Sequence, residues 1–137
     1  MKLSLLALPT MIVGLYPLPC GADDRSYPET VGRCLIVAEG KSYTLQPCAY
    51  RFHYERVTGH MLTFEQKRPR KNYVRFGYIY FEGKTRTVGE GSWNGPDIRN
   101  RHSDHFVGKL KRKGHCWANA KARFCFWPAP SAGRERR

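Results

Sequence analysis

The sequence predicts an all-β fold: one small domain with an antiparallel sheet, formed as a sandwich or barrel and held by two local disulfides. Three observations predict it. Short apolar runs with alternating polar residues are separated by turn residues along most of the chain. Turn dipeptides, Glu39-Gly40 and Glu82-Gly83, stand between such runs. Four cysteines beyond the N-terminal apolar segment fall as two local pairs.

The candidate strands follow one another in short runs. The strongest is 73–81, where Val74, Phe76, Tyr78 and Tyr80 alternate with a second set of side chains on the other face. Glycines and a proline predict a long irregular stretch over 89–104. The other predicted strands are 34–38, 41–45, 52–57, 61–65, 84–88, 107–110, 115–118 and 124–127.

Residues 1–22 have the pattern of a secretory signal peptide. A positive start is followed by an apolar stretch over 3–16 and by Cys20-Gly21-Ala22, small residues in front of the expected cleavage point. A buried N-terminal helix is one alternative, which Pro17 and Pro19 oppose. A lipoprotein signal at Cys20 is another, but the same prolines stand where such a signal has small or aliphatic residues before the cysteine. We expect a periplasmic or secreted protein.

The mature chain is expected to be one domain with two extensions. We predict a flexible lead-in at 23–32, the β domain at 33–127 and a disordered basic tail at 128–137. Loss of Lys2 with the signal lowers the formal net charge from +13 to +12. Such a charge attracts nucleic acid, acidic lipid surfaces and polyanionic glycans, or serves only to keep an exported protein soluble.

The cysteines predict a disulfide framework. Four cysteines allow three connectivities, and local pairing, Cys34 with Cys48 and Cys116 with Cys125, is the simplest. Each pair brackets enough chain for a hairpin or compact loop to return. Zinc is the competing use of four thiols, but the chain has no Cys-x-x-Cys spacing and export favours oxidation.

The catalytic candidates are three histidines. His102 and His105 flank Asp104 in the predicted irregular stretch, and His115 follows ten residues later. Imidazole and carboxylate groups bind metals or transfer protons. On a strand, however, residues 102 and 105 point to opposite faces, and a polar loop that bonds its own backbone explains the pattern equally well. The pattern assigns no metal and no cofactor.

Two basic clusters are the candidate anion-binding sites. One is the loop 67–71, and the other alternates along 109–113, which places three lysines on one strand face. A shared surface would bind phosphates or sulfates, whereas a solvated edge strand is the alternative. A tryptophan is added as a stacking candidate, with core packing as its alternative. The candidates are Lys67, Arg68, Arg70, Lys71, Lys109, Lys111, Lys113 and Trp93.

A resemblance covers about residues 33–127. The chain carries Glu39-Gly40-Lys41-Ser42-Tyr43, Trp93-Asn94-Gly95, His102-Ser103-Asp104-His105 and, over 107–127, VGKLKRKGHCWANAKARFCFW. These segments resemble a family of small exported bacterial proteins of uncharacterised function that closes on LGxLxRxGxCWxNxxAxxCxW. The resemblance implies export and two disulfides, and it implies no activity. The basic loop 67–71 and the Arg-rich tail depart from the family pattern.

Three functions remain open from the sequence. The first is a non-enzymatic exported binding protein that contacts an anionic polymer or an envelope component. The second is an inhibitor of a secreted enzyme, with the loop 89–104 presented to a protein target. The third is a small ribonuclease-like hydrolase, for which the three histidines with Glu90 and Arg99 would surround one phosphate.

Overall fold

The computed structural model describes residues 25–67 and 73–130. The described chain is all-β, as the alternating pattern predicts, and within these ranges no helix is long and apolar enough to cross a membrane. The strands are β1 (Arg25–Ser26), β2 (Thr30–Ala38), β3 (Lys41–Glu55), β4 (Gly59–Gln66), β5 (Phe76–Phe81), β6 (Val88–Trp93), β7 (His105–Lys113), β8 (Cys116–Ala118) and β9 (Arg123–Pro128).

Eight of these strands close into an antiparallel barrel. Hydrogen-bonded neighbours run in the order β3, β2, β9, β8, β7, β6, β5 and β4, and the pairing of β4 with β3 completes the circle. The short strand β1 pairs with the last part of β3. Closure pairs each barrel strand on both sides, which removes the exposed edges of an open sheet.

Alternation along the strands fills the barrel interior with large apolar side chains. In β5 the buried residues are Gly77, Ile79 and Phe81, while the intervening aromatic side chains point outward and are half-buried. Tryptophan and phenylalanine dominate the lower core, where the Trp117 ring lies 5.6 Å from that of Phe81 and 5.9 Å from that of Phe126. Aromatic burial of this kind supplies a core to a chain with few leucines.

Both disulfides join strands locally, as the simplest connectivity predicts. Cys34–Cys48 links β2 to β3, and both of its cysteines are fully buried. Cys116–Cys125 links directly opposite residues of β8 and β9. Closing loops of this length removes about 3 kcal/mol of unfolded-chain entropy per bridge in the loop-entropy model. Two such bridges indicate that the protein folds in an oxidising compartment.

The topology gives the barrel two distinct ends. Successive antiparallel strands place the β2–β3, β4–β5, β6–β7 and β8–β9 connections at one end, here called the upper end. The β3–β4, β5–β6 and β7–β8 connections lie at the other, lower end. At the lower end, the Arg86 guanidinium lies 4.3 Å from the centre of the Phe52 ring, and the Trp117 indole donates to the Arg86 carbonyl at 2.9 Å.

Several predicted strand boundaries are wrong. The two strands predicted at 41–45 and 52–57 are one continuous strand, β3, which bends to pair with β2 at its start and with β4 at its end. The predicted strand 84–88 is mostly turn, and only its last residue, Val88, is in β6. The predicted irregular stretch 89–104 begins instead with a strand, so the true β6–β7 loop covers only 94–104.

The predicted extensions are only partly described. Within 23–32, Arg25–Ser26 pairs with β3 and β2 already begins at Thr30, so this part is hydrogen-bonded and not a free lead-in. In the predicted tail, Pro128 is the last residue of β9. Residues 1–24, which include the predicted signal segment, residues 68–72, which include most of the basic loop, and residues 131–137 lie outside the described ranges.

Candidate binding surface

The three candidate histidines do not meet. His102 and His105 lie at the upper end, whereas His115 lies in the β7–β8 turn at the lower end. The length of β7 separates the two groups by about 27 Å at ~3.4 Å per residue. His115 lies near Trp127, with ring centres 6.3 Å apart. Within the described ranges, no group of three or more His, Cys, Asp or Glu side chains is placed to hold a metal ion.

His105 is part of a polar cluster at the upper rim. Its Nδ1 lies 3.4 Å from the Glu39 carboxylate, and its Nε2 lies 3.9 Å from that of Asp104. A hydrogen bond from Asn100 lowers the pKa of Asp104, and the nearby His105 and His102 lower it further. The cluster joins the β2–β3 turn to the start of β7. Its contacts are half-exposed, as expected for polar contacts at the rim of the barrel.

Trp93 is not a stacking residue for a ligand. It ends β6 with only 1% of its side chain exposed, and its ring lies 5.2 Å from that of Tyr43 and 6.1 Å from that of His105. The prediction that Trp93 contacts a polymer is therefore wrong, because the inward face of β6 places it in the core. In the Trp-Asn-Gly motif, the tryptophan therefore packs in the core.

The next two residues of this motif organise the upper loops. Asn94 is fully buried: its Oδ1 accepts from the Phe76 amide at 3.1 Å, and its Nδ2 donates to the carbonyls of Val74 and Asn100 at 2.9 and 3.0 Å. Gly95 has φ +80°, and a Cβ there would lie 2.4 Å from the His105 ring. The motif thus fixes the β4–β5 and β6–β7 connections to each other.

The two predicted basic clusters lie on different parts of the barrel. Lys67 directly follows β4 and shares the Glu29 carboxylate with Arg51, both contacts at 3.6 Å. The other members of that loop, Arg68, Arg70 and Lys71, lie outside the described residues. Strands β5 and β6 separate β4 from β7. The described part of the loop therefore does not adjoin the lysines of β7.

The β7 lysines share one outward face, as the alternation predicts. Lys109, Lys111 and Lys113 are exposed, while Leu110 between them is fully buried. Strand β7 is hydrogen-bonded to β6 and to β8, so these lysines do not belong to an open edge. The edge-protection alternative is therefore wrong. Lys109 donates to Glu82 at 2.8 Å, and this bond raises the pKa of Lys109.

Closure of the barrel adds further basic residues to the same face. Lys111 is paired with Ala118 of β8, which is paired in turn with Arg123 of β9. Two strand spacings separate Lys111 from Arg123, or roughly 10 Å. Arg33 of β2 lies over the outward ring of Trp127, 4.3 Å from its centre. We call this surface the basic wall; it comprises Arg33, Lys109, Lys111, Lys113, Lys121 and Arg123.

Small side chains make the middle of the basic wall concave. A depression of about 530 Å³ lies there, with Ala118, Val37 and the disulfide residue Cys116 among its lining residues. Lys113, Lys121 and Arg123 line the same depression. Short side chains between longer cationic ones form a trough along β8 in which an anionic chain would meet ammonium and guanidinium groups on both sides.

The basic wall is free of acidic residues. No Asp or Glu occurs in the described strands β2, β7, β8 and β9, or in the β7–β8 and β8–β9 turns. At its margin, Glu82 forms a salt bridge with Lys109, and Glu90 of β6 is paired directly opposite that lysine. These two carboxylates offset the charge of Lys109, so the uncompensated positive field lies over the rest of the wall, on β7, β8 and β9.

Half of this surface carries a local signal in the sequence. The lysine alternation signals the β7 face, but Arg33, Lys121 and Arg123 belong to segments about 90 residues apart at the extremes and carry no local signal. Only the pairing of β2 with β9 brings them together. Trp127 faces outward here and Trp93 does not, because the two tryptophans occupy opposite faces of their strands.

Comparisons of the chain with protein-family models, with curated proteins and with solved structures give no significant match. The assignment of a function therefore depends on the residues and their geometry.

Proposed function

We propose that this protein is an exported, non-enzymatic binding protein that holds an anionic polymer on the basic wall. The observation that carries the proposal is six basic residues on one face, three of which line a shallow trough, with no carboxylate on the four strands and two turns that build it. A linear polymer with repeated phosphate, sulfate or carboxylate groups would neutralise several of these cations at once and release their counterions.

The proposal includes a periplasmic or secreted location. The two disulfides support it, since such bridges persist in oxidising compartments, and so does the signal-like pattern of residues 1–22. We also propose that the chain belongs to the family of small exported bacterial proteins described above. The local pairing of both cysteine pairs is consistent with this membership. An envelope surface or an extracellular anionic glycan is then the natural partner.

The first prediction concerns affinity for a defined polyanion. The variant Lys111→Gln/Lys113→Gln/Arg123→Gln removes three exposed charges from the basic wall and leaves the core untouched. We expect it to bind a labelled heparin dodecasaccharide at least about tenfold more weakly than the wild type, as measured by fluorescence anisotropy near physiological salt.

A matched control separates location from net charge. The variant Lys41→Gln/Lys84→Gln/Arg101→Gln removes three exposed charges at scattered positions away from the wall. We expect its affinity to stay within about threefold of the wild type. Equal losses in the two variants, or no heparin binding by the wild type, would contradict the proposal.

A further inference from the structure

A second groove lies on the outer face of β3, β4 and β5, away from the basic wall. Its volume is about 450 Å³. Side chains from the three strands alternate outward in register, with Arg51 opposite Thr63 and Thr63 opposite Tyr78. We call it the aromatic groove; its main lining residues are Arg51, His53, Thr63, Glu65, Phe76 and Tyr78.

Aromatic rings form a row along one side of the groove. Phe76, Tyr78 and Tyr80 are successive outward residues of β5, about 6.7 Å apart along the strand. The rings of Tyr78 and Tyr80 lie 4.5 Å apart between centres. Beneath them, Met61 on the same outer face is only 7% exposed. A row of half-buried rings on the outside of a barrel is an apolar platform that the core does not require.

Polar groups with unused hydrogen-bonding capacity face these rings. The Arg51 Nε is buried and has no acceptor among the described residues. Glu65 is exposed and forms no salt bridge or side-chain hydrogen bond with the described residues. His53 Nε2 lies 2.7 Å from Thr63 Oγ1, a polar pair beside Arg51 and on the side away from Glu65. Both donors and acceptors therefore line the groove.

The charges of the aromatic groove balance, in contrast to those of the basic wall. Arg51 and Lys67 bracket the Glu29 carboxylate, and Glu65 adds a second negative charge. Such a groove offers no net attraction to a polyanion. Balanced charges, donors and acceptors, and aromatic ring faces suit a ligand that is uncharged, rich in hydroxyl groups and made of rings with apolar C–H faces.

The groove extends along the strands and does not converge on one point. His53 and Glu65 lie in adjacent antiparallel strands, but Glu65 is four residues from the partner of His53, or about 13 Å along the strand. Two groups so far apart cannot transfer protons at one reacting bond. An elongated chain of rings fits this distribution of groups better than a single small molecule.

From this juxtaposition we propose that the aromatic groove binds a neutral saccharide chain, a site independent of the polyanion surface. Sugar rings would lie against Phe76 and Tyr78, while Arg51, Glu65 and the Tyr78 hydroxyl would bond their hydroxyl groups. A protein with both sites would join an anionic polymer to an uncharged glycan.

The test uses the whole mature protein and uncharged hexasaccharides: maltohexaose, cellohexaose and N-acetylchitohexaose. Titration by isothermal calorimetry at high salt, where the basic wall is screened, should show binding of at least one with Kd of about 1 mM or tighter. Tyr78→Ala should weaken that binding at least about tenfold, and Glu65→Gln should weaken it without loss of an aromatic ring. Phe106→Ala, which removes a ring that is 77% exposed outside the groove, should leave it unchanged.

Three results would overturn the saccharide site. They are no binding of any of the three oligosaccharides, binding that both Tyr78→Ala and Glu65→Gln leave intact, or displacement of the bound sugar by a single-stranded (dT) oligonucleotide. The last result would assign the rings to nucleobases. If Tyr78→Ala fails to fold, Glu65→Gln still tests whether the groove binds the sugar. Heparin affinity of the same variants should remain at the wild-type value, which distinguishes failure of this site from failure of the basic wall.

Discussion

At the residue scale, single polar side chains decide how the upper loops are held. Asn94 satisfies three backbone groups from two different connections while it is fully buried. Buried amides of this kind are costly to remove because the backbone groups they serve are left without partners. The Trp-Asn-Gly segment was noticed in the sequence as a motif. Its role as a loop anchor depends on contacts with residues far along the chain, which no local pattern reveals.

His53 gives the fold a pH-dependent contribution. Burial lowers the pKa of His53, and the nearby Arg51 lowers it further, against a smaller opposing effect of Glu55. The folded state therefore favours the neutral imidazole, and the unfolded state binds the proton more readily. Stability from this residue is fully present above the ordinary histidine value of 6.5 and is lost as the pH falls through the lower folded pKa.

We predict that His53→Gln flattens this pH dependence. Glutamine keeps an amide able to bond Thr63 but does not titrate. Urea unfolding at about pH 7.5 and about pH 5 should show that the wild type loses more unfolding free energy on acidification than the variant does. An equal or larger loss in His53→Gln would show that His53 is not responsible.

At the element scale, β6 is a strand that the sequence pattern predicts as part of a loop. The prediction rests on its glycines, because glycine usually weakens a strand. In the barrel, Gly89 and Gly91 are in contact with large core side chains: a Cβ on Gly91 would lie 2.7 Å from Leu110 and 2.8 Å from Val107. The absence of a side chain at these two positions lets the bulky residues of neighbouring strands fill the interior.

We predict that Gly91→Ala destabilises the protein by about 1–3 kcal/mol through overpacking. The added methyl group would press on Leu110 and Phe124. In the Leu110→Ala background the same change should cost much less, because the cavity left there accepts the methyl group. Chemical denaturation of the four proteins in this double-mutant cycle measures the coupling. Strict additivity of the two free-energy changes would refute steric conflict at this position.

The predictable elements were those with a local signal. Strand β5 was predicted from its alternation, and both disulfides were predicted from cysteine spacing, because each depends on residues close in sequence. The continuity of β3 has no such local signal, because Pro47 and the mixed polarity of its middle part interrupt the alternating pattern. In the barrel this middle part pairs with β2 and then with β4, which keeps one strand hydrogen-bonded through the bend.

At the scale of the whole molecule, closure distributes the charge unevenly. The acidic residues of the described strands lie in β3, β4 and β6, and the basic wall occupies β2, β7, β8 and β9. Net charge predicted an anionic partner but not where it would bind. Of the predicted binding residues, the lysines of β7 belong to the wall, Lys67 lies beside β3 and β4, and Trp93 is in the core.

The salt dependence of polyanion binding tests the basic wall most directly. For the heparin dodecasaccharide, the logarithm of the association constant should fall linearly with the logarithm of salt concentration. Removal of three wall charges by Lys111→Gln/Lys113→Gln/Arg123→Gln should reduce the magnitude of this slope by roughly 2, because the variant forms fewer ionic contacts and binding therefore releases fewer counterions. A slope that the wall variant leaves at the wild-type value would contradict the proposed binding surface.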